Sequence, residues 1–264
     1  DIALLAPDGF FREALSVDLS RDKEAVVAPL VVTRGNVSLP DGTRMARNVQ
    51  VLGVDERFWK LAPNPDTAPD LSKEEFFVNA RLGSYLAAKQ GDRLILRVEE
   101  PGLFSRDAPL SGERDNKFVS LNKELGGVLG AEAFGRFGLQ GNQREPLTIF
   151  VPMKILQNRM FRSFDEESGN TGFANFLLLG RPGGDAVQLE SAEATLNEAW
   201  SLADAGISVK ELRDTPAWSI RSRQVFLSES LRQAGEKAAL QTTGVLTYLV
   251  NAIAKGTPEA NSSA

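Results

Sequence analysis

VQVLGVDERFW, residues 49–59, changes character at its midpoint. Residues 47–54 are rich in β-branched side chains and read as a strand. Where that strand ends, Asp55, Glu56, Arg57, Phe58 and Trp59 gather two acids, a base and two aromatic rings. Upstream, AVVAPLVVT at 25–33 reads as a second strand, and RGNVSLPDGTR separates the two. Within that connection Pro40-Asp41-Gly42 is a turn, because proline presets φ and glycine accepts positive φ. The spacing predicts a hairpin of these two strands, so the fold is built around antiparallel pairing.

Outward from the hairpin, the spacing over Phe10–Leu19 predicts a short first helix with Asp8 as its N-cap. Residues 62–70, APNPDTAPD, carry three prolines in nine residues and read as a linker and candidate domain boundary. Residues 74–89 are expected to be helical up to Gly91, and DRLILRVE at 92–99 to be a strand. The glycine-rich patch from Gly126 to Gly141 is expected to be a loop. Residues 146–152 read as a strand, 154–160 as one or two helical turns, and 173–179 as a strand closed by the turn at 181–184. A helix over 189–203, strands at 207–212 and 218–227, and a long helix over 230–254 complete the chain. Helices and strands in this order indicate an α+β chain with antiparallel sheets, not a doubly wound βαβ series.

At 264 residues, 42% hydrophobic and 25% charged, the chain can bury a substantial core in one large domain or two small ones. It contains no cysteine and no histidine. That composition excludes thiol catalysis, disulfides, Cys/His zinc sites and every Ser-His-Asp triad, and it suits an oxidising compartment. The net charge is −5, with lysine and arginine scattered along the chain. Nucleic acid, which requires a basic stripe to displace counterions, is not expected as a partner. The longest nearly apolar run, 245–254, is interrupted by Thr247 and Asn251 and is shorter than the roughly 20 residues of a membrane span. The opening residues DIALLAPDGFF lack the basic region of a signal peptide.

Three motifs with chemical potential lack the pattern their chemistry needs. The glycine patch has neither Gly-Lys-Ser/Thr nor a G-x-G-x-x-G between strand and helix. Asp165-Glu166-Glu167 lacks the alternating ligand spacing of a calcium loop. Ser208 and Lys210 lie two apart on an expected strand, not three apart at a helix start. No metal or cofactor is expected. Asp55, Glu56 and Arg57 beside Trp59 are either an acid–base group with a stacking wall, or a surface ion pair over aromatic residues that end a strand. The end of the last helix, GVLTYLVNAIA at 244–254, is apolar on nearly every face. Such a helix needs a deep core or a neighbouring hydrophobic phase.

Four phrases in this order resemble one family. NVQVLGVDERFWKL at 48–61, VNARLGSYLAAKQGDRLILRV at 78–98, LTIFVPMKILQ at 147–157 and GVLTYLVNAIAKGTPE at 244–259 are similar to segments of the MacB-like periplasmic core domain of bacterial FtsX-like ABC-transporter permeases. The resemblance spans nearly the whole chain. It implies a two-lobed α+β domain: a porter-like βαβ lobe from residues 1–61 and 190–264, with a mixed α/β lobe inserted at 62–189. It implies that residues 1–264 are a non-catalytic domain on the periplasmic side of the membrane, tethered to the transmembrane part of the same permease. ATP hydrolysis would belong to a separate subunit. The expected cargo or partner is a lipoprotein, lipid, peptide or drug. In this reading Asp55, Phe58 and Trp59 form a hinge where the lobes meet, and Leu246, Tyr248, Leu249 and Val250 lie on a membrane-proximal helix. The rival classes are a stand-alone extracytoplasmic binding or scaffold module and a hydrolase that uses carboxylates alone.

Overall fold

The hairpin forms as expected and extends beyond the predicted limits. Val26–Ser38 (β3) pairs antiparallel with Met45–Val54 (β4), setting Val31 opposite Gly53 and Thr33 opposite Val51. At the turn Gly42 takes φ +70°, and its N–H donates to the Leu39 carbonyl at 3.0 Å. The Asp41 carboxylate accepts from the Thr43 N–H and hydroxyl at 3.0 and 2.9 Å. These bonds hold the carboxyl below its ordinary pKa. The register slips between Gly35 and Val37, where Asn48 takes a left-handed conformation at φ 54° that asparagine tolerates.

The computed structural model describes residues 2–6, 9–20, 25–101, 118–138, 145–162, 172–184, 186–212, 216–222, 229–238 and 243. An eight-stranded sheet grows from the hairpin. Thr148–Pro152 (β8) runs parallel to β4, and Phe76–Asn79 (β5) runs antiparallel to β8. Phe118–Leu129 (β7) lies parallel to β5, and Arg93–Glu99 (β6) lies antiparallel to β7. Strand β6 then returns to β3 along Gly35–Ser38, so β3, β4, β8, β5, β7 and β6 close into a ring. The other half of the same edge of β3 carries Phe176–Gly180 (β10) and, beyond it, Ile2–Leu5 (β1). Closure leaves the six ring strands paired on both sides where they meet, which protects edges that would otherwise be free to pair with other chains.

Alternation along the strands sorts the core into two layers. Leu94, Leu96 and Val98 of β6 are buried, alternating with exposed Arg93, Arg97 and Glu99 and the half-buried Ile95. They join Val37, Ala46, Val49, Val51, Val78, Ile149 and Val151 in one cluster on the inner face of the curved sheet. Leu15–Asp18 (α1), Ala80–Leu86 (α3) and Met153–Met160 (α4) contribute Leu15, Leu82, Leu86 and Leu156 to that cluster. Leu30, Leu52, Val54, Phe77, Phe150 and Leu178 point the other way, where Phe58 and Trp59 of Glu56–Lys60 (α2) cover them. Residues 62–70 contain a 3-10 turn, Pro65–Thr67. Strands on both sides of this segment, β3 and β4 before it and β5 to β8 after it, belong to the same sheet.

The α+β class holds, and several element limits change. Where a helix is expected over 74–89, the strand β5 and the short helix α3 stand instead, following a 3-10 turn at Leu71–Lys73. Phe76, Phe77 and Val78 are buried on both faces of the sheet, and such an unbroken apolar run reads alike as strand or buried helix. The glycine patch is not all loop, since Gly126 and Gly127 lie within β7, where the Phe77 ring approaches both. The first helix shrinks to α1 behind Ala14, because Phe11–Arg12 (β2) pairs with Phe173–Ala174 (β9). Asp8, its expected cap, lies outside the described residues, as does Asp165-Glu166-Glu167. Leu189–Ala199 (α5) is shorter than predicted and contains no fully buried residue. Ile207–Glu211 (β11) and Trp218–Ser222 (β12) form a separate two-stranded sheet. Residues 1–226 cluster as one compact unit, and Glu229–Ala238 (α6) belongs to a second, 227–264.

Ring closure has a local requirement at Gly35. A Cβ there would stand 2.7 Å from the Arg97 carbonyl oxygen and 3.0 Å from a Val98 methyl, and the nearer neighbour is backbone that cannot rotate away. Gly35→Ala is expected to lower unfolding stability by about 1–3 kcal/mol, read as a lower urea midpoint. An unchanged midpoint would show that β3 and β6 do not meet this closely.

Candidate functional site

Strand β4 enters helix α2 with no intervening loop, and Asp55 makes the junction. Its backbone is extended, and its side chain accepts from the Arg57 N–H at 2.9 Å, an N-cap that satisfies one of the helix's free donors. The other carboxylate oxygen accepts from Arg57 Nε at 2.8 Å. The Arg57 guanidinium continues the network, donating to Ser16 Oγ at 2.9 Å and to Glu13 Oε1 at 3.2 Å. Gln157 of α4 closes it from the opposite side, its Nε2 donating to Glu13 Oε2 at 3.1 Å and to the Phe173 carbonyl at 2.9 Å. The three carboxylate and guanidinium side chains are each a little over one-quarter exposed. Both oxygens of Asp55 are therefore committed to fixing a strand-to-helix turn, so Asp55 is poorly placed to act as a base. Among the described residues no three His, Cys, Asp or Glu side chains are grouped so as to hold a metal ion.

The aromatic half of the junction is a packed layer. Phe58 is fully buried and Trp59 is 1% exposed. Phe58 has ring-centroid separations of 4.9 Å to Trp59, 4.9 Å to Phe134, 5.2 Å to Phe137 and 6.2 Å to Phe150, and Trp59 lies 5.4 Å from Phe150. Edge-on and tilted pairs at these separations add about 0.5–1.5 kcal/mol each beyond the area they bury. At the end of α2 and just beyond it, Lys60, Leu61, Ala62, Pro63 and Pro65 face Arg181, Pro182 and Gly183 across an open cleft of about 370 Å³. Asp55 does not line it.

A second polar cluster joins distant parts of the chain. The Asp204 side chain has no exposed surface, and its carboxylate accepts from Arg12 Nε at 2.9 Å and Arg12 Nη2 at 2.8 Å. It also accepts from the Arg12 N–H at 3.3 Å, the Ser201 N–H at 2.9 Å and Ser201 Oγ at 2.6 Å. Arg12 Nη2 reaches Asp18 as well, at 3.3 Å. Burial pushes the Asp204 carboxyl up, but the bonds from Arg12 and Ser201 outweigh it and hold the group below its ordinary range. The bond to Asp204 raises Arg12 in turn.

No protein-family model and no curated protein matches the chain. Thirteen solved chains do match in structure. One is the periplasmic region of MacB from Actinobacillus actinomycetemcomitans, 13% identical, covering 90% of this chain and 86% of that one, with a TM-score of 0.41. Another is the extracellular domain of the noncanonic ABC-type transporter YknZ from Gram-positive bacteria, 12% identical, covering 73% and 86%, with a TM-score of 0.40. The chain is similar to both.

Of the residues singled out in the sequence, Asp55, Phe58 and Trp59 come together as one junction. Leu246, Tyr248, Leu249 and Val250 lie outside the described residues. Among the described residues no helix is long and apolar enough to cross a membrane. Sequence reasoning missed Arg12, Glu13, Gln157 and Asp204, whose partners are as far as 192 positions away. It also missed Asn175, which interrupts β9 and β10 and bonds both ways with Val32, accepting from its N–H at 2.7 Å and donating to its carbonyl at 2.8 Å. One signal was available for it, a lone amide inside the apolar run FANFLLL.

Two outcomes are expected. Asp55→Ala should lower stability by about 1 kcal/mol through the lost cap, and Phe58→Ala by about 3–5 kcal/mol through the cavity it leaves, both by chemical denaturation. A gain in stability on removing Asp55 would mark a residue retained for chemistry against the interests of the fold. For Asp204 the folded chain holds the pKa below the unfolded value. Its contribution is therefore complete above about pH 4 and is lost as pH falls through the lower folded value. The stability difference between the native chain and Asp204→Asn should be constant from about pH 5 to 7 and shrink below about pH 4. A difference that grows on acidification would contradict the bonding described.

Proposed function

We propose that the chain acts as the extracytoplasmic domain of an FtsX-like ABC-transporter permease, carrying ATP-driven motion of membrane helices to a cargo or partner outside the membrane. The observation that carries this reading is where the resembling phrases lie. Three of them, far apart in sequence, contain strands that run directly into helices: β4 into α2 across Asp55, β5 into α3 across Asn79, and β8 into α4 after Pro152. These strands are neighbours in the sheet, in the order β4, β8, β5. The fourth phrase, 244–259, lies outside the described residues.

Asn79 binds two of these joints together. Its Oδ1 accepts from the Leu82 N–H at 3.0 Å, capping α3, and from the Thr148 N–H at 3.2 Å, while its Nδ2 donates to the Pro146 carbonyl at 2.8 Å. Strand-to-helix joints stiffened in this way suit a body that relays force better than one that must open around a substrate. In this reading the domain performs no chemistry, and ATP hydrolysis belongs to another subunit. Asp55, Phe58 and Trp59 form the junction where the porter-like lobe, 1–61 and 190–264, passes into the inserted lobe, 62–189. The shared sheet makes the two lobes mechanically continuous. Leu246, Tyr248, Leu249 and Val250 are assigned to the membrane-proximal end, and the cargo class is a lipoprotein, lipid, peptide or drug.

Reading the gene on both sides of residues 1–264, followed by purification of the native protein from membranes, tests the proposal. Flanking sequences that encode membrane spans, together with a co-purifying ATP-binding subunit, are expected. A freely secreted chain without adjoining spans would overturn the proposal in favour of a stand-alone binding module. Hydrolysis of any assayed substrate that Asp55→Asn or Glu56→Gln abolishes would overturn it in favour of a carboxylate-dependent enzyme.

A further inference from the structure

The segment after α5 inverts the usual rule of burial. Across residues 200–212 and 216–222 the one buried residue is an aspartate, Asp204, while Leu202, Val209, Leu212, Trp218 and Ile220 are exposed. Register places Ile207 opposite Ser222, Val209 opposite Ile220 and Glu211 opposite Trp218. Residues directly opposite one another share a face. One face of the β11–β12 hairpin is therefore mainly apolar, and the other is Ser208, Lys210, Ser219 and Arg221. An isolated two-stranded hairpin is marginal in water. The contacts that fix its position therefore decide whether it stays put.

Those contacts converge on Asp204. In the loop between α5 and β11, Ser201 holds the carboxylate from one side, and Arg12 from the far end of the chain holds it from the other. Arg12 lies on β2, which is paired with β9 next to the main sheet. The preceding helix adds only partly buried contacts, Ala192, Leu196 and Ala199 against the inner cluster, and Trp200 lies 6.3 Å from the Phe11 ring. Apolar adhesion weakens gradually as surfaces slide. A buried charge held by a guanidinium fork is either engaged or strongly disfavoured, because separation strands the carboxylate without its partner until water reaches it.

We propose that the Arg12–Asp204 pair is a release latch: it holds the arm formed by the 200–206 loop and the β11–β12 hairpin against the body, and breaking it frees the arm as a unit while the six-stranded ring stays folded. A contact of this kind is lost abruptly, not gradually, when one partner goes. Force or a binding partner acting on the segment that carries β1 and β2 would reach the arm through Arg12. The latch goes beyond the permease reading and stands or falls independently of it.

The test is hydrogen exchange by mass spectrometry on the whole chain, comparing the native sequence with Asp204→Asn and Arg12→Lys. Asp204→Asn removes the charge, and Arg12→Lys keeps the charge but cannot form the fork. Amides of 207–212 and 216–222 are expected to exchange at least about tenfold faster in Asp204→Asn and by an intermediate factor in Arg12→Lys, with β4 and β8 unchanged. Because the chain has no cysteine, exposed Ser84 and Ser208 can be replaced by Ser84→Cys and Ser208→Cys for spin labels, in the native and Asp204→Asn backgrounds. The distance between labels should be narrow in the first and broad or longer in the second. Equal acceleration in β4 and β8, or failure of both clamp variants to fold, would make the pair a prop of the whole fold and overturn the latch. Unchanged exchange in 207–212 and 216–222 or an unchanged label distance would overturn it as well.

Discussion

Strand β3 has to serve three neighbours with two edges. Over its 13 residues, β4 takes most of one edge, while β10 and β6 divide the other between Val26–Leu30 and Gly35–Ser38. The division works because the strand slips register at Gly35 and carries no side chain there, which lets the Arg97 backbone come close. Once β6 is seated, the ring closes. Its inner face then has to be filled by alternate residues of all six strands together with α1, α3 and α4, and its other face by α2 and the aromatic layer. The inner cluster, the aromatic layer and the placement of α2 and α4 all follow from that closure.

The connections supply those helices economically. Where β4, β5 and β8 end, each chain turns into a helix within a residue, and a polar side chain or a proline stands at each turn: Asp55, Asn79 and Pro152. An extended residue that caps the next helix leaves little slack between sheet and helix. Gly53 shows the same economy, since a Cβ there would meet Leu156 of α4 at 2.8 Å. Such joints move with the sheet.

The arm around Asp204 obeys a different physics. Most of the molecule is held by area, with dozens of apolar contacts each of small energy, whereas the contact between Arg12 and Asp204 is a set of directional bonds to one carboxylate. Area-based packing gives stability. Directional bonding at a buried charge gives definition of position, with sharp loss when a partner goes. The coexistence of both in one compact unit means that its parts need not loosen together.

The hairpin at 25–54 was legible because its signals are local: β-branched runs, and Pro40-Asp41-Gly42 with the φ values that turn demands. Phe58 and Trp59 read as buried because they close a strand, but the helix Glu56–Lys60 that carries them was not read from the sequence. Phe76–Asn79 was misread because burial on both faces erases the alternation by which a strand declares itself, and Gly126 was misread because its need for space comes from Phe77, a residue far away in sequence. Arg12 and Asp204 carry no local mark at all, being one arginine among many and one aspartate in a loop. Sequence by itself determined the class of fold and the hairpin, since these depend on patterns and turn residues within a few positions. Only the tertiary structure decided the closed ring and the clamp, because both arise from contacts between segments that the chain brings together after it has folded.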